Sequence, residues 1–485
     1  MTTTSDITAL TPNKLWQWFA TICSIPHASY QEEALAKHIM DWAAQKNLQA
    51  YRDTAGNIFI TKPATPGMEG RAPIALQAHL DMVCQANHDY DFVNLPIEPI
   101  IDGEWVRANG TTLGADNGIG LASILAVLDS DDVAHPLLEA VLTMTEETGM
   151  DGAFNLERGR LTSRLMINTD TEEIDEIYLG CAGGVDVEMA LDVSYDDLLK
   201  EHTLTKLSVS GLKGGHSGLD IHKNNSNAIL LLAYLLAELP LRIVTLSGGT
   251  ARNAIPRQAT AIIACDGDTL DTIRKRAVAL QALIGGYETQ VTVDFVTLDN
   301  MTLDKETHKR ALTRADSEQV LNFLNALPNG VLRYSDSVPN TVETSLSLGK
   351  VALTPEHLSV VSLVRSLNET GKQIACSHLQ SVARLACARI DFVGSYVGWE
   401  PNPSSPITAL TFDIYKKVIG TDPALKVIHA GLECGLIQEA YPTMDIVSIG
   451  PTIKNAHSPD ECVHIASVAT YWQVLTQVLA NSPKL

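Results

Sequence analysis

Two pairs of residues in this sequence are of types that can do chemistry at neutral pH. His79 and Asp81 lie two positions apart in Ile74-Ala75-Leu76-Gln77-Ala78-His79-Leu80-Asp81-Met82-Val83, so on an extended chain both point the same way. An imidazole with a carboxylate beside it is a common arrangement at zinc; an ordinary histidine at a strand end is the plainer reading. Glu146 and Glu147 follow the apolar run Leu137 to Thr145. Adjacent carboxylates repel each other and burial raises their cost, unless the pair is simply solvated. A third apolar run, Leu165 to Ile167, leads to Asp170 with Glu172 and Glu173 behind it. Between these runs lies Thr112-Leu113-Gly114-Ala115-Asp116-Asn117-Gly118-Ile119-Gly120, where glycines around an Asp-Asn pair read as a tight loop. One carboxylate at a strand end proves nothing. Four such clusters at one edge of a sheet make a nest of negative charge that destabilises a fold unless a cation fills it.

The elements that must position these residues are legible as patterns. Short apolar runs suit buried strands of a parallel sheet, and in such sheets ligands bind in the crevice at the carboxyl ends. Leu121 to Leu128 reads as a buried helix. Upstream, Ser29-x-x-Glu32 reads as a capping box before a helix with Leu35, Ile39 and Trp42 on its apolar face. Tyr51 to Thr61, with Gly56-Asn57 inside it, reads as a hairpin. Residues 191–395 change character. Alternating strands (Leu204 to Val209, Thr260 to Cys265, Thr289 to Val296, Leu358 to Val364), an apolar helix from Asn227 to Leu239 and a glycine-rich Gly211-Leu212-Lys213-Gly214-Gly215-His216-Ser217-Gly218 predict an inserted α+β domain. The α/β domain, 1–190, resumes at 396–485 through Pro401-Asn402-Pro403-Ser404-Ser405-Pro406. Its last loop holds His457, which follows a strand and reads either as a surface histidine or as a further member of the acidic edge.

Bulk properties exclude several function classes. A length of 485 residues fits about two to three domains. A net charge of −22 argues against nucleic acid as a partner. Met1-Thr2-Thr3-Thr4-Ser5-Asp6 has neither a basic nor an apolar segment of a secretory signal, and no stretch approaches about 18 apolar residues, so no membrane span is expected. Eight scattered cysteines without a C-x-x-C read as reduced cytoplasmic thiols.

With His79-x-Asp81, Gly114-Ala115-Asp116-Asn117-Gly118, Glu146-Glu147-x-Gly149, Asp170, Gly215-His216-Ser217 and His457 in this order, the chain resembles the M20 family of dinuclear metallopeptidases, nearest its aminoacyl-histidine dipeptidase group. Thr143-Met144-Thr145-Glu146-Glu147, Gly180-Cys181-Ala182-Gly183-Gly184, Arg252-Asn253-Ala254-Ile255-Pro256 and His429-Ala430-Gly431-Leu432-Glu433-Cys434-Gly435 extend it over nearly the whole chain, though 267–320 contribute nothing. The resemblance implies a dinuclear-zinc exopeptidase domain with an inserted lid domain that also dimerises. It implies two Zn²⁺ per subunit, replaceable by Co²⁺ or Mn²⁺, with Asp116 bridging, His79 and Asp170 at one ion and Glu147 and His457 at the other. Asp81 would orient His79, Glu146 would be the general base, and Asp116–Asn117 would be a cis peptide. His216 would stabilise the oxyanion, commonly from the partner subunit. Asn253 and Arg365 would hold the substrate's carboxylate, and Gly431 would let backbone approach it. The implied activity is hydrolysis of dipeptides, Xaa-His and β-Ala-His above all. Other activities of the same superfamily (tripeptide aminopeptidase, carboxypeptidase, aminoacylase) share the metal set, and an inactive metal-binding scaffold would lack a ligand or the base.

Overall fold

A computed structural model describes residues 6–198, 203–298, 310–336, 338–402 and 404–484, so Pro403 of the expected linker lies outside the described residues. The chain forms two compact units: Met1–Cys181 with Trp399–Val427 and Leu432–Leu485, and Ala182–Gly398 with Ile428–Gly431.

The first unit is built on an eight-stranded sheet. Its order is Gln49–Arg52, Ile58–Lys62, Leu138–Thr143, Ile74–His79, Leu165–Asn168, Asp445–Ser448, Glu176–Cys181, Ala424–Ile428. The three chemistry-bearing runs become neighbouring parallel strands. Ile74–His79 pairs in parallel with Leu138–Thr143, setting His79 opposite Thr143, and with Leu165–Asn168, setting Gln77 opposite Asn168. All three strands are buried along their whole length, which is why they read as continuous apolar runs rather than alternating ones. The register brings their carboxyl ends, and the residues that follow, to one edge.

Helix Ala115–Asp129 covers this sheet and is buried on every side from Ile119 to Leu128, so it carries no polar stripe. Each of its buried leucines and isoleucines contributes about 1.5–3 kcal/mol by leaving water. The helix begins six residues earlier than its apolar pattern suggests, but Asp116 and Asn117 inside its first turn have non-helical backbone angles and share a cis peptide. Gly120 explains the close approach of helix to strand end. A Cβ there would stand 2.3 Å from the Thr169 hydroxyl and 2.7 Å from the Thr169 carbonyl oxygen.

A small four-stranded sheet, in the order Ile453–Lys454, Cys462–His464, Trp105–Ala108, Pro99–Asp102, sets two loops side by side. The hairpin between Ile453–Lys454 and Cys462–His464 carries His457, and the chain leaving Trp105–Ala108 runs into the Asp116 loop.

The second unit is a nine-stranded antiparallel sheet that includes Gly183–Asp192, Thr203–Ser210, Arg242–Gly248, Ala259–Cys265, Val342–Leu353 and His357–Ser366. Helices Ala228–Leu236, Gly267–Ile284, Arg314–Ala326 and Glu369–Leu385 bury their apolar faces in its core. The whole is the mixed α/β architecture expected from the sequence. No helix among the described residues is long and apolar enough to cross a membrane.

One local expectation fails. Helix Glu33–Gln45 starts after Glu32, which makes no side-chain cap, so Ser29 and Glu32 are not a capping box. Both side chains are committed elsewhere: Ser29 donates to Asp81 Oδ2 at 2.7 Å, and Glu32 turns to Thr145.

Candidate metal centre

His79, Asp116, Asp170, Glu147 and His457 converge in the first unit. His79 Nε2 is 3.5 Å from Asp116 Oδ1 and 3.4 Å from Asp170 Oδ1. His457 Nε2 is 3.3 Å from the other Asp116 oxygen, Oδ2, and 3.1 Å from Glu147 Oε2. Asp116 thus divides its two oxygens between two groups of three ligands. Ligand atoms about 2.0–2.1 Å from a tetrahedral zinc stand roughly 3.3–3.4 Å apart, so both groups have the spacing of a metal shell. Glu147 Oε1 is buried with no hydrogen-bond partner, an acceptor that a cation would satisfy. Imidazole and carboxylate donors in this ratio suit zinc and its near neighbours. The residues fit two divalent ions.

Electrostatics give the same picture. Burial pushes Glu146 well above the usual carboxylate range and raises Glu147 and Asp170. Burial works to raise Asp116 as well, but hydrogen bonds from His457 and His79 hold it low. Hydrogen bonds to Asp116 and Glu147 push His457 up to about 11, and Asp170 holds His79 well above its ordinary value although burial opposes a charge there. Metal binding at such a cluster competes with protons on the imidazoles and carboxylates, so affinity should rise with pH.

The turn that presents the two glutamates is strained and clamped. Thr145 sits at φ 55°, a left-handed conformation that costs a β-branched residue about 1–3 kcal/mol. Glu32, 1% exposed, holds it by accepting from the Thr145 N–H at 2.9 Å and hydroxyl at 2.8 Å. Asp81 completes the clamp. Its Oδ1 accepts from Glu146 N–H at 2.9 Å and its Oδ2 from Glu147 N–H at 3.1 Å. His79 Nδ1 lies 3.3 Å from Asp81 Oδ1 but 3.0 Å from the Asp81 backbone oxygen. The side chain expected to orient His79 therefore grips the glutamate turn at least as firmly. Glu146 itself offers an oxygen within 4.8 Å of ligand atoms of His79 and Glu147.

Three supporting carboxylates went unread in the sequence. Glu32 is one. Glu433 is buried and accepts from Gln77 and Thr143, each at 2.6 Å, while Gln77 in turn is bonded by Asn168. Burial pushes Glu433 up to about 7. Glu461 accepts from the backbone of the Asp116 loop. Each of the last two left a trace in the sequence, Glu433 in the His429 to Gly435 motif and Glu461 in the loop His457-Ser458-Pro459-Asp460-Glu461, but neither trace indicated a partner.

His216, Asn253, Arg365 and Gly431 all belong to the second unit. His216 Nδ1 accepts from the N–H groups of Gly218 at 3.2 Å and Leu219 at 3.1 Å, so the ring proton assigned to it is on Nε2. Burial and the Arg365 charge lower its pKa, keeping it neutral. Arg365 is buried, donates from Nη1 to Tyr396 Oη at 3.0 Å, and keeps an unpartnered buried Nε. Asn253 is exposed, and its carbonyl accepts from Ser217 N–H at 2.8 Å. A Cβ on Gly431 would meet the Tyr396 ring at 3.0 Å.

Residues 75–481 match Peptidase family M20/M25/M40. The chain belongs to this family. M20 peptidases are metal-dependent hydrolases, and the paired ligand groups are where this M20 peptidase can hold its metal. It is 48% identical over 486 residues to the cytosol non-specific dipeptidase of Escherichia coli, covering 99% of each chain. Its structure superimposes on the aminoacylhistidine dipeptidase of Vibrio alginolyticus with a TM-score of 0.91 at 45% identity, covering 99% of each. The aminopeptidase PepT of Bacillus cereus, at 15% identity and a TM-score of 0.57 over 97% of this chain and 98% of that one, shares the fold alone.

Proposed function

We propose that this M20 peptidase hydrolyses dipeptides, Xaa-His and β-Ala-His among them, at a two-ion centre formed by His79, Asp116, Glu147, Asp170 and His457. The observation that carries this reading is the division of Asp116's two oxygens between two ligand groups at metal-shell spacing. Zinc is the ion the donor set favours, with Co²⁺ or Mn²⁺ as substitutes. When bound, the ions supply Lewis acidity and a water acidic enough to attack a carbonyl near neutral pH.

The protein's own groups do the rest. Glu146 accepts the attacking water's proton and delivers it to the leaving nitrogen; its burial, which favours the protonated form, suits it to hold that proton between the steps. Asp81 and Glu32 fix the turn so that Glu147 faces His457 and Glu146 stays free for the proton. His216, neutral with its proton on Nε2, is a fixed donor for the oxyanion. Arg365, with an unpaired buried Nε, and Asn253 bind the peptide's carboxylate, and Gly431 lets backbone close on it. The second unit acts as lid and as the contact between two copies in a homodimer. The working compartment is the cytoplasm, a reading that the name of the Escherichia coli relative supports.

A substrate panel under defined metal tests the proposal. Xaa-His, Xaa-Leu and β-Ala-His dipeptides should be cleaved and the corresponding tripeptides and N-acylated amino acids spared. Chelation should abolish turnover, and Zn²⁺, Co²⁺ or Mn²⁺ should restore it. Cleavage of tripeptides or acylated amino acids ahead of dipeptides would replace this reading with another amidohydrolase activity. No hydrolysis of any of them by metal-loaded protein would favour a binding role.

A further inference from the structure

Glu461 is 2% exposed and has no place in the chemistry above, yet its carboxylate accepts four hydrogen bonds beside the centre. Its Oε2 accepts from the N–H groups of Leu113 at 2.8 Å and Gly114 at 3.0 Å, and its Oε1 from those of Ala115 at 2.8 Å and Asp116 at 3.3 Å. Four consecutive backbone donors thus converge on one carboxylate, and the last belongs to Asp116, whose side chain faces both ligand groups. Helix Ala115–Asp129 starts from Gly114, which has no side chain to cap it, so the orphan N–H groups are satisfied from a distant part of the chain.

Glu461 is also tied to the other ligand loop. Its own N–H donates to the Ser458 carbonyl at 3.0 Å, and Ser458 Oγ donates to Asn455 O at 2.8 Å, folding the turn that presents His457 at φ 63°. The next residue, Cys462, pairs with Arg107 in the small sheet. One side chain therefore joins the loop of Asp116 to the loop of His457.

We propose that Glu461 is a positioning residue that locks these two loops into one ion-binding unit, so that loss of its carboxylate weakens the ion held by Asp116, Glu147 and His457 more than the ion beside His79 and Asp170. The selectivity follows from the supports. His79 ends a buried strand and Asp170 closely follows another, whereas His457 stands on a hairpin loop that the small sheet anchors at its base and Glu461 ties to the Asp116 loop. Loss of such a supporting contact typically weakens metal binding by about 10–100-fold.

This inference rests on the two-ion reading, and the experiment separates the two. Wild-type protein, Glu461→Gln and Glu461→Asp are stripped of metal and shown to be folded by circular dichroism. Each is then titrated with Zn²⁺ against a chromophoric chelator, and with Co²⁺ while its visible absorption is followed. Wild type should take up two ions. Glu461→Gln should bind one ion as the wild type does and the other about 10–100-fold more weakly, with an intermediate loss in Glu461→Asp. A purely structural Glu461 would lower the melting temperature of the metal-free protein and leave both affinities of the folded protein unchanged; that result overturns the proposal. Should Glu461→Gln not fold, Glu461→Asp alone decides, and wild-type affinity at both sites in it is equally fatal. Uptake of fewer than two ions by the wild type would instead overturn the two-ion reading and this proposal with it.

Discussion

Replacing Asp81 with asparagine separates two functions that the sequence merges into one. The carboxylate accepts from Glu146 N–H and lies near His79 Nδ1 through Oδ1, and accepts from Glu147 N–H and Ser29 Oγ through Oδ2. Asparagine keeps one acceptor oxygen and puts an NH₂ in place of the other. In one orientation the amide nitrogen faces the Glu147 N–H; in the other it faces Glu146 N–H and His79. Either way at least one buried backbone donor loses its partner, and the remaining bonds lose their charge assistance. At about 1.5–3 kcal/mol for a hydrogen bond to a charged group, the turn should be destabilised by roughly 2–4 kcal/mol. The strained Thr145 beside it leaves little reserve. Because the turn carries Glu147 and the imidazole is His79, Asp81→Asn should weaken both ions, each by about 10-fold or more. Stepwise Co²⁺ titration followed by absorption and elemental analysis reads both sites. If Asp81→Asn weakens only the ion at His79 and Asp170, the carboxylate serves the imidazole alone and the clamp on Glu146 and Glu147 is idle.

Two further outcomes follow from the same geometry. Glu146→Gln should retain both ions while kcat falls by about 10²–10⁴, whereas Glu147→Gln should lose or weaken one ion; elemental analysis beside turnover would expose reversed roles. His429 in the second unit is held at about 3 by burial and by the Arg365 charge, with its Nε2 bonded to Ser345 Oγ at 2.7 Å. Its folded-state value lies below the ordinary value of about 6.5, so the unfolded chain takes up the proton first, and stability present above pH 6.5 is lost as pH falls toward 3. The loss should approach about 1.4 kcal/mol per pH unit in that window, and His429→Gln should remove that share from the difference in urea-unfolding free energy between pH 7 and pH 5. An unchanged difference would mean that His429 is charged in the folded protein.

What the sequence made legible was what ends a local pattern. His79, Glu146, Glu147 and Asp170 each follow a continuous apolar run, and parallel pairing brings run-ends together, so the edge could be read before its geometry was known. The supports were hidden for the opposite reason. Glu461 meets Ala115 across 346 positions and Glu433 meets Gln77 across 356, and no local periodicity reports such contacts. Ser29 and Glu32 misled because their spacing satisfies a helix-start rule, while burial redirected both side chains to Asp81 and Thr145. The early start of helix Ala115–Asp129 was masked by the glycines and the Asp-Asn pair, which do mark an irregular backbone, but one inside a helical turn.

The five ligands differ sharply in their access to water. The side chains of His79, Glu147, Asp170 and Asp116 are 1%, 6%, 8% and 11% exposed, whereas that of His457 is 51% exposed. On the proposed assignment, one ligand group is closed to water on every side, while the other keeps a single side chain open to it. A reagent that modifies histidine from solution would therefore reach one ligand of the five and leave the other imidazole untouched.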